Sequence, residues 1–261
     1  MPRLIGACIA LLLLAACSHA PAPRQADASV AAASRWEGAR QMIVVTVPGW
    51  NDIHGSMRRY ERAATGRWQA VGTEQAVVIG RSGAAWGLGL HPQQAGGPQK
   101  REGDGRAPAG VFSIGEAFGY AASASTGLPY LAMSRDHWCM DVPASPLYNR
   151  IVDARQVGQD AVAGSTEPMR LDLHANGDAR YRNGFVIEHN TGNVPGMGSC
   201  IFAHLWKTPD TPTAGCTAMT EAGMATLLGW LREDAYPVFV LLPQAEYARL
   251  RNDWDLPEAT R

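Results

Sequence analysis

The chain lacks three features that would place it in common classes of protein. It has no apolar run of the roughly 18 to 20 residues that a membrane-spanning helix needs. It has no excess of charge: 23 Lys and Arg stand against 24 Asp and Glu, which offers no electrostatic field for a nucleic-acid partner. It also has no internal repeat, no heptad pattern and no second composition class, so a single folded domain is the simplest organisation.

The N-terminus has the pattern of an export signal. Arg3 precedes an apolar run over residues 4–16 that ends in Leu-Ala-Ala before Cys17. This ending resembles the lipobox of bacterial lipoproteins, which implies a signal segment over residues 1–17 that ends at the lipobox cysteine. Cys17 would be lipidated and would become the mature N-terminus after cleavage in front of it. Ser18 rather than Asp after the cysteine implies a periplasmic protein anchored to the outer membrane of a Gram-negative bacterium. Ordinary secretion is the alternative.

The remaining sequence divides into a tether and a domain. Residues 18–35 are rich in Ala, Pro and Ser and contain no aromatic residue, so they predict a flexible tether. Residues 36–261 are long enough for one sizeable domain. Once Cys8 and Cys17 are set aside, this domain holds Cys139, Cys200 and Cys216 in an oxidising compartment. Three thiols cannot all pair, so one is either kept free for chemistry or buried as a bystander.

The hydrophobic pattern predicts a β-dominated α+β domain. One amphipathic helix is indicated after Cys216, over residues 221–233, with Thr220 as its N-cap. Further helices are possible over residues 53–65 and 244–253. Short β-rich runs bounded by Gly and Pro predict strands at residues 42–47, 75–79, 185–187, 199–205 and 238–242.

Cys216 and His204 suggest a thiol nucleophile with its base. A strand carrying His204, a loop over residues 207–212 and then Gly-Cys would bring imidazole and thiol together. Gly215 has no side chain, so backbone N–H groups there can approach a substrate carbonyl closely. A helix beginning just after Cys216 would lower the thiol pKa through its dipole.

An ordered set of segments around these residues resembles the L,D-transpeptidase catalytic-domain family, the YkuD-like proteins. The resemblance covers about residues 42–243. It is closest to a branch with Gly-Ser-x-Ile-Phe-x-His followed by Thr-x-Gly-Cys. The matching segments are Gly-Asp-Gly-Arg-Ala-Pro-Ala-Gly-Val-Phe at residues 103–112, Trp-Cys-Met-Asp at 138–141, Tyr148-Asn149, His189-Asn190, 198–204 and 213–216.

The resemblance implies a YkuD-like β-sandwich with a short helix after the cysteine, and acyl transfer on peptidoglycan stem peptides. Cys216 would form a thioester and His204 would act as the base. The amides of Gly215 and Cys216 would form the oxyanion hole, and the carbonyl of Leu205 would be the third element. Neither a metal nor another cofactor is implied.

The chain departs from the better-known motif at two positions. Thr213 stands where many members have Ser, and Ala218 stands where they have Arg. A substrate carboxylate must then be held by another group, for which Arg106 and Arg182 are candidates. We predict substrate-binding roles for Arg106 and Thr213.

The other histidines are predicted to have supporting roles. His189 is a further substrate-binding candidate, although hydrogen bonding or packing beside the His204 strand is favoured over a role as base. Asn190 would orient a neighbour or form a turn. His54 resembles part of the better-known motif, but it lies far from Cys216 in sequence and is interpreted as unrelated to catalysis.

Several alternatives remain at the level of sequence. Cys139 and Cys200 are predicted to form a disulfide bracing the His204 strand, because Cys200 and His204 would share one strand face; otherwise they are two buried thiols. A metal site of Cys200, His204 and Cys216 is disfavoured because paired-ligand spacing is missing. In function, an L,D-carboxypeptidase, a cross-link hydrolase and a noncatalytic peptidoglycan-binding lipoprotein are the alternatives to a transpeptidase.

Overall fold

The computed structural model describes residues 36–258. The predicted export signal, lipidated Cys17 and tether lie outside the described residues. No helix within residues 36–258 is long and apolar enough to cross a membrane. The strands are β1 Gln41–Val47, β2 His54–Arg62, β3 Trp68–Val78, β4 Ala84–Trp86, β5 Ala107–Gly119, β6 Tyr130–Ala132, β7 His137–Cys139, β8 Ile151–Asp153, β9 Glu167–Pro168, β10 Asn183–Ile187, β11 Phe202–Leu205, β12 Thr217–Met219 and β13 Val238–Pro243. The α-helices are α1 Ala154–Val157, α2 Leu171–His174, α3 Glu221–Trp230 and α4 Gln244–Leu250, and short 3-10 helices span Gln159–Val162 and Glu233–Ala235.

One 10-stranded sheet dominates the fold and closes on itself. Its strands follow the order β10, β11, β12, β3, β2, β1, β13, β5 and β4, with β6 on the side of β5. The closure depends on β5, which pairs with β13 over Gly110–Ser113 and with β10 over Ile114–Gly119. The strand-rich class predicted from the sequence agrees with this architecture.

The helix α3 packs its apolar face into the main core. Met224, Leu227, Leu228 and Leu231 are all buried, as their helical spacing predicts. Thr220 caps the helix, because its side-chain oxygen accepts a hydrogen bond from the amide of Gly223 at 3.0 Å. The prediction of this helix and its cap is confirmed, although the helix ends at Trp230.

A second, 3-stranded sheet of β8, β7 and β9 lies against the large one. It has a small core of its own around Met140, Ala154 and Val162. A separate apolar cluster that includes Phe118, Phe202 and the three cysteines of the domain joins the two sheets. The boundary between the sheets therefore holds the residues on which the chemistry was predicted to depend.

Two predicted elements are corrected. Residues 53–65 were a possible helix, but His54–Arg62 form β2, whose ladder of hydrogen bonds with β1 and β3 overrides the local preference. The strand predicted over residues 199–205 begins only at Phe202, because Cys200 has a left-handed backbone with φ of 56°. Cys200 therefore does not share a strand face with His204. The possible helix over residues 244–253 is present as α4, which ends at Leu250.

Candidate active site

Neighbouring strands bring Cys216 and His204 into one cleft. Strands β11 and β12 run parallel, with His204 opposite Ala218, and Cys216 immediately precedes β12. Both side chains line a cleft of about 360 Å³ at the boundary between the two sheets. The chain connection between the strands, a loop beginning at Lys207, brings the thiol into the same cleft as the imidazole.

The hydrogen bond made by His204 determines which of its ring nitrogens can accept a proton. Its Nδ1 lies 2.8 Å from the carbonyl oxygen of Leu205, the residue predicted as the third element of the site. A carbonyl oxygen only accepts, so Nδ1 carries the proton and Nε2 is the acceptor. Burial lowers the pKa of His204 to about 4, although the Leu205 bond acts in the opposite direction. The imidazole is therefore neutral at pH 7.

The thiol of Cys216 is buried and is held by two backbone groups. Its Sγ accepts a hydrogen bond from the amide of Phe202 at 3.3 Å and donates to the carbonyl of Cys200 at 3.5 Å. The pKa of the thiol is raised to about 12, mainly by burial and also by the negative charge of Glu167, while the Phe202 amide acts in the opposite direction. Within residues 36–258, Cys216 is the free cysteine.

The predicted stabilisation of the thiolate by a helix dipole is wrong. Strand β12, Thr217–Met219, stands between Cys216 and the start of helix α3 at Glu221. The effect of a helix dipole falls off within the first turn. Cys216 is therefore a neutral thiol at neutral pH.

Thr213 shapes the loop that carries the thiol. Its hydroxyl donates to the carbonyl of Cys216 at 2.7 Å and accepts from the amide of Gly215 at 3.1 Å. Thr213 lines the cleft, and its substrate-binding role stays a prediction, because the observed hydrogen bonds of its side chain are made inside the loop. The Gly215 amide is corrected as an oxyanion donor, since it already donates to Thr213. The amide of Cys216 remains as the candidate donor.

Gly215 has a steric reason to be glycine. A Cβ atom added there would lie 3.0 Å from the carbonyl oxygen of Arg106, closer than most such contacts. The glycine therefore lets the loop that carries Cys216 pack against the backbone of the Gly-x-Gly segment, residues 103–112.

Arg106 is corrected from a substrate-binding residue to a structural one. Its guanidinium donates to the carbonyls of Trp50 at 3.0 Å and Ala84 at 2.9 Å, and to the side chain of Asn51 at 2.9 Å. These bonds direct it away from the cleft that holds Cys216. Arg182, the other candidate, forms an ion pair with Glu221 of helix α3 at 2.7 Å and is also outside the cleft lining.

His189 is also corrected, because both of its nitrogens are engaged. Nδ1 accepts from the amide of Leu88 at 3.2 Å, and Nε2 donates to the carbonyl of Met197 at 3.0 Å. Burial lowers its pKa to about 4. Asn190, at a positive φ of 55°, has the turn role considered for it and bonds both main-chain groups of Val194.

Cys139 and Cys200 are joined in a disulfide with an S–S distance of 2.09 Å. Cys200 is thereby unavailable as a thiolate ligand. Within the described part of the chain, no three His, Cys, Asp or Glu side chains are grouped to hold a metal ion. His54 is exposed on β2, lies 3.4 Å from Asp210, and is not in the cleft lining.

Three acidic residues line the cleft that were not predicted as site residues, although one of them, Asp141, ends the Trp-Cys-Met-Asp segment. Glu102 accepts hydrogen bonds from Tyr148 and Ser199, and Glu167 accepts one from Tyr181. Burial raises the pKa of Glu167 to about 7. The third, Asp141, accepts from the amide and hydroxyl of Thr166. No local pattern marks Glu167, because the folding of the small sheet onto the large one brings it to the thiol.

Comparison of the chain with protein-family models, with curated proteins and with solved structures yields no match. The chemistry of the cleft and the sequence motifs are therefore the observations that bear on function.

Proposed function

We propose that this protein is a cysteine acyltransferase acting on peptidoglycan stem peptides, an L,D-transpeptidase with a thioester intermediate and a YkuD-like fold. The observation that carries the proposal is the free thiol of Cys216 in one cleft with His204, whose Nδ1 is occupied by Leu205. Nucleophile, base and orienting acceptor are the parts that covalent catalysis requires. The resembling segments over residues 42–243 supply the substrate class.

In the first step, Sγ of Cys216 attacks the carbonyl carbon of an L,D-peptide bond while Nε2 of His204 takes the thiol proton. A neutral imidazole suits this role at pH 7, because a protonated one could not accept. The amide of Cys216 stabilises the oxyanion. When the tetrahedral intermediate collapses, the C–N bond breaks, the proton passes from Nε2 to the leaving amine, and a thioester remains on Sγ.

In the second step, the amine of another stem peptide attacks the thioester carbonyl. His204 takes the proton that this amine loses and returns it to the departing sulfur. An amide cross-link forms and the free thiol is restored. Lipidation of Cys17 would hold this chemistry at the outer membrane in the periplasm, where the substrate is found.

The test is to incubate the full-length protein, purified in detergent, with a disaccharide tetrapeptide and to measure products and protein by mass spectrometry. We expect an acyl adduct that Cys216→Ala abolishes, together with a cross-linked dimer. A tripeptide without dimer would identify water as the acceptor and the protein as a hydrolase. Absence of any adduct, with tetrapeptide still bound by Cys216→Ala, would contradict an enzyme and indicate a binding protein.

A further inference from the structure

We propose that Arg81 binds the terminal carboxylate of the donor peptide, the stem peptide that acylates Cys216. Arg81 thereby takes the place of the arginine that the better-known motif has at the position of Ala218. The inference rests on the proposed function, since it names a residue that binds the substrate in that same cleft. Arg81 lines the cleft together with Cys216 and His204. No sequence signal marks Arg81, because it lies 135 positions from the cysteine in no recognisable motif.

The backbone attaches Arg81 directly to the nucleophile loop. Its amide donates to the carbonyl of Thr213 at 2.9 Å, and Gly80 forms a parallel bridge with Thr213. Thr213 in turn donates its hydroxyl proton to the carbonyl of Cys216. The side chain of Arg81 therefore departs from a backbone that is fixed to the turn carrying the sulfur.

The Gly-x-Gly segment leaves space for this side chain. A Cβ atom on Gly105 would lie 2.9 Å from both Cγ and Nε of Arg81 and 3.0 Å from its Cζ. Gly105 also has a positive φ of 70°, which disfavours other residues. The guanidinium group thus lies against the backbone of this segment, and any residue larger than glycine at position 105 would displace it.

Arg81 differs from the other cationic side chains of the cleft in having unused donors. Lys100 is buried and donates to Asp104 at 2.6 Å and to the carbonyl of Arg101 at 2.8 Å. Arg180 is paired with Asp178 through Nε and Nη2. Arg81 makes one long bond of 3.4 Å to the carbonyl of Gly103 and has no ion-pair partner among residues 36–258.

The acidic residues of the cleft do not neutralise Arg81. Glu102, Asp141 and Glu167 all accept from hydroxyl or amide groups, and none forms an ion pair with it. An exposed guanidinium with open donors is a ready partner for a carboxylate, which it can bind through two parallel hydrogen bonds. The leaving D-residue of a tetrapeptide carries such a carboxylate one residue beyond the scissile bond.

The test compares a tetrapeptide acid with its C-terminal carboxamide by calorimetric binding to full-length Cys216→Ala protein. This background removes turnover, so affinity is measured alone. The same titrations are made with Arg81→Gln added, and with Arg101→Gln as a matched loss of one positive charge. Arg101 is exposed on the neighbouring loop, where its guanidinium contacts Met197 outside the cleft lining.

We expect the acid to bind about ten- to a hundredfold more tightly than the amide in the background and with Arg101→Gln. With Arg81→Gln the two affinities should become nearly equal, through weaker binding of the acid. Equal affinities in the background, a preference that survives Arg81→Gln, or no binding of either peptide would each overturn the inference. An adduct on wild-type Cys216 without this preference for the acid would support acyl transfer and contradict the role of Arg81. A preference for the acid without any adduct would support the role of Arg81 and contradict acyl transfer.

Discussion

At the scale of single residues, burial decides the protonation of the candidate pair. The thiol and the imidazole are both enclosed, and a low-dielectric environment disfavours the charged form of each. The pKa of Cys216 is consequently raised to about 12 and that of His204 lowered to about 4. A resting thiolate–imidazolium pair is therefore not populated, and the proposed reaction requires proton transfer from the thiol to accompany its attack on the substrate.

His204 should be required as the base. We expect His204→Gln to slow formation of the acyl adduct by about 10²- to 10⁴-fold, the usual contribution of a general base. His54→Gln is the control, because His54 is exposed and outside the cleft. The rate of adduct formation, followed by mass spectrometry, checks this. Equal rates for the two variants would remove His204 from the mechanism.

Glu167 should disfavour ionisation of the Cys216 thiol, and the size of this effect should depend on pH. Its pKa is about 7, so it is charged above that pH and disfavours a second negative charge on Cys216. Glu167→Gln should lower the thiol pKa, and each unit of lowering raises the thiolate population tenfold. Iodoacetamide alkylation should therefore be faster in the variant above pH 7, with the difference shrinking below pH 7 as wild-type Glu167 becomes protonated.

The matched control for Glu167 is Glu246→Gln, since Glu246 lies on helix α4, pairs with Arg249 and is absent from the cleft. It should reproduce the wild-type alkylation profile. A constant rate ratio between Glu167→Gln and wild type across pH 6 to 9 would show that the carboxylate charge does not act on the sulfur.

At the scale of elements, the short loop before β12 is the unit that positions the sulfur. Thr213 is anchored at its backbone to Ile79 and Arg81, and its hydroxyl bridges Gly215 and Cys216. The shape of the loop thus depends on the side chain of Thr213 and on Gly215, which lets the loop approach the Arg106 carbonyl. The helix α3 follows too late in the chain to act on the thiol.

Replacing the Thr213 hydroxyl should affect both stability and chemistry. Thr213→Val leaves the buried amide of Gly215 without an acceptor, which costs about 1–3 kcal/mol, and should slow adduct formation by releasing the loop. Thr213→Ser should restore most of both. Thr208→Val, an exposed hydroxyl on the same connection, should change the free energy of unfolding by less than about 0.5 kcal/mol. Denaturant unfolding and adduct rates measure these effects; unchanged values for Thr213→Val would contradict the bracing role.

At the scale of the whole molecule, the cleft exists because the small sheet lies against the large one. The small sheet and its connections contribute Asp141 and Glu167 to the cleft. The disulfide ties Cys139 of β7 to Cys200, whose carbonyl accepts the Cys216 thiol. Asn149 reinforces this attachment, because its side chain accepts from the Cys200 amide at 2.9 Å.

Removing the disulfide should lower the stability of this arrangement. The two cysteines are separated by 61 positions, and a crosslink across a loop of that length contributes about 2–4 kcal/mol. The double variant Cys139→Ser with Cys200→Ser should lose this amount in denaturant unfolding. Wild-type protein under reducing conditions should unfold like the variant. Coincident unfolding curves for oxidised wild type and the double variant would show that the crosslink carries no stability.

The amphipathic spacing of α3, its Thr220 cap, the β-rich runs at β1, β10 and β13, and the pairing of a histidine strand with a Gly-Cys turn could be predicted from the sequence. These features depend on neighbours along the chain, on side-chain periodicity and on motif order. Only the folded structure shows the bracing roles of Arg106, Thr213 and His189. It alone also shows the left-handed turn at Cys200, the acids of the cleft and the place of Arg81 in its lining. The residue type determines which hydrogen bonds a side chain can make. Strand pairing and packing between distant segments determine which partner it has, because each buried polar group must form hydrogen bonds with groups that the fold places near it.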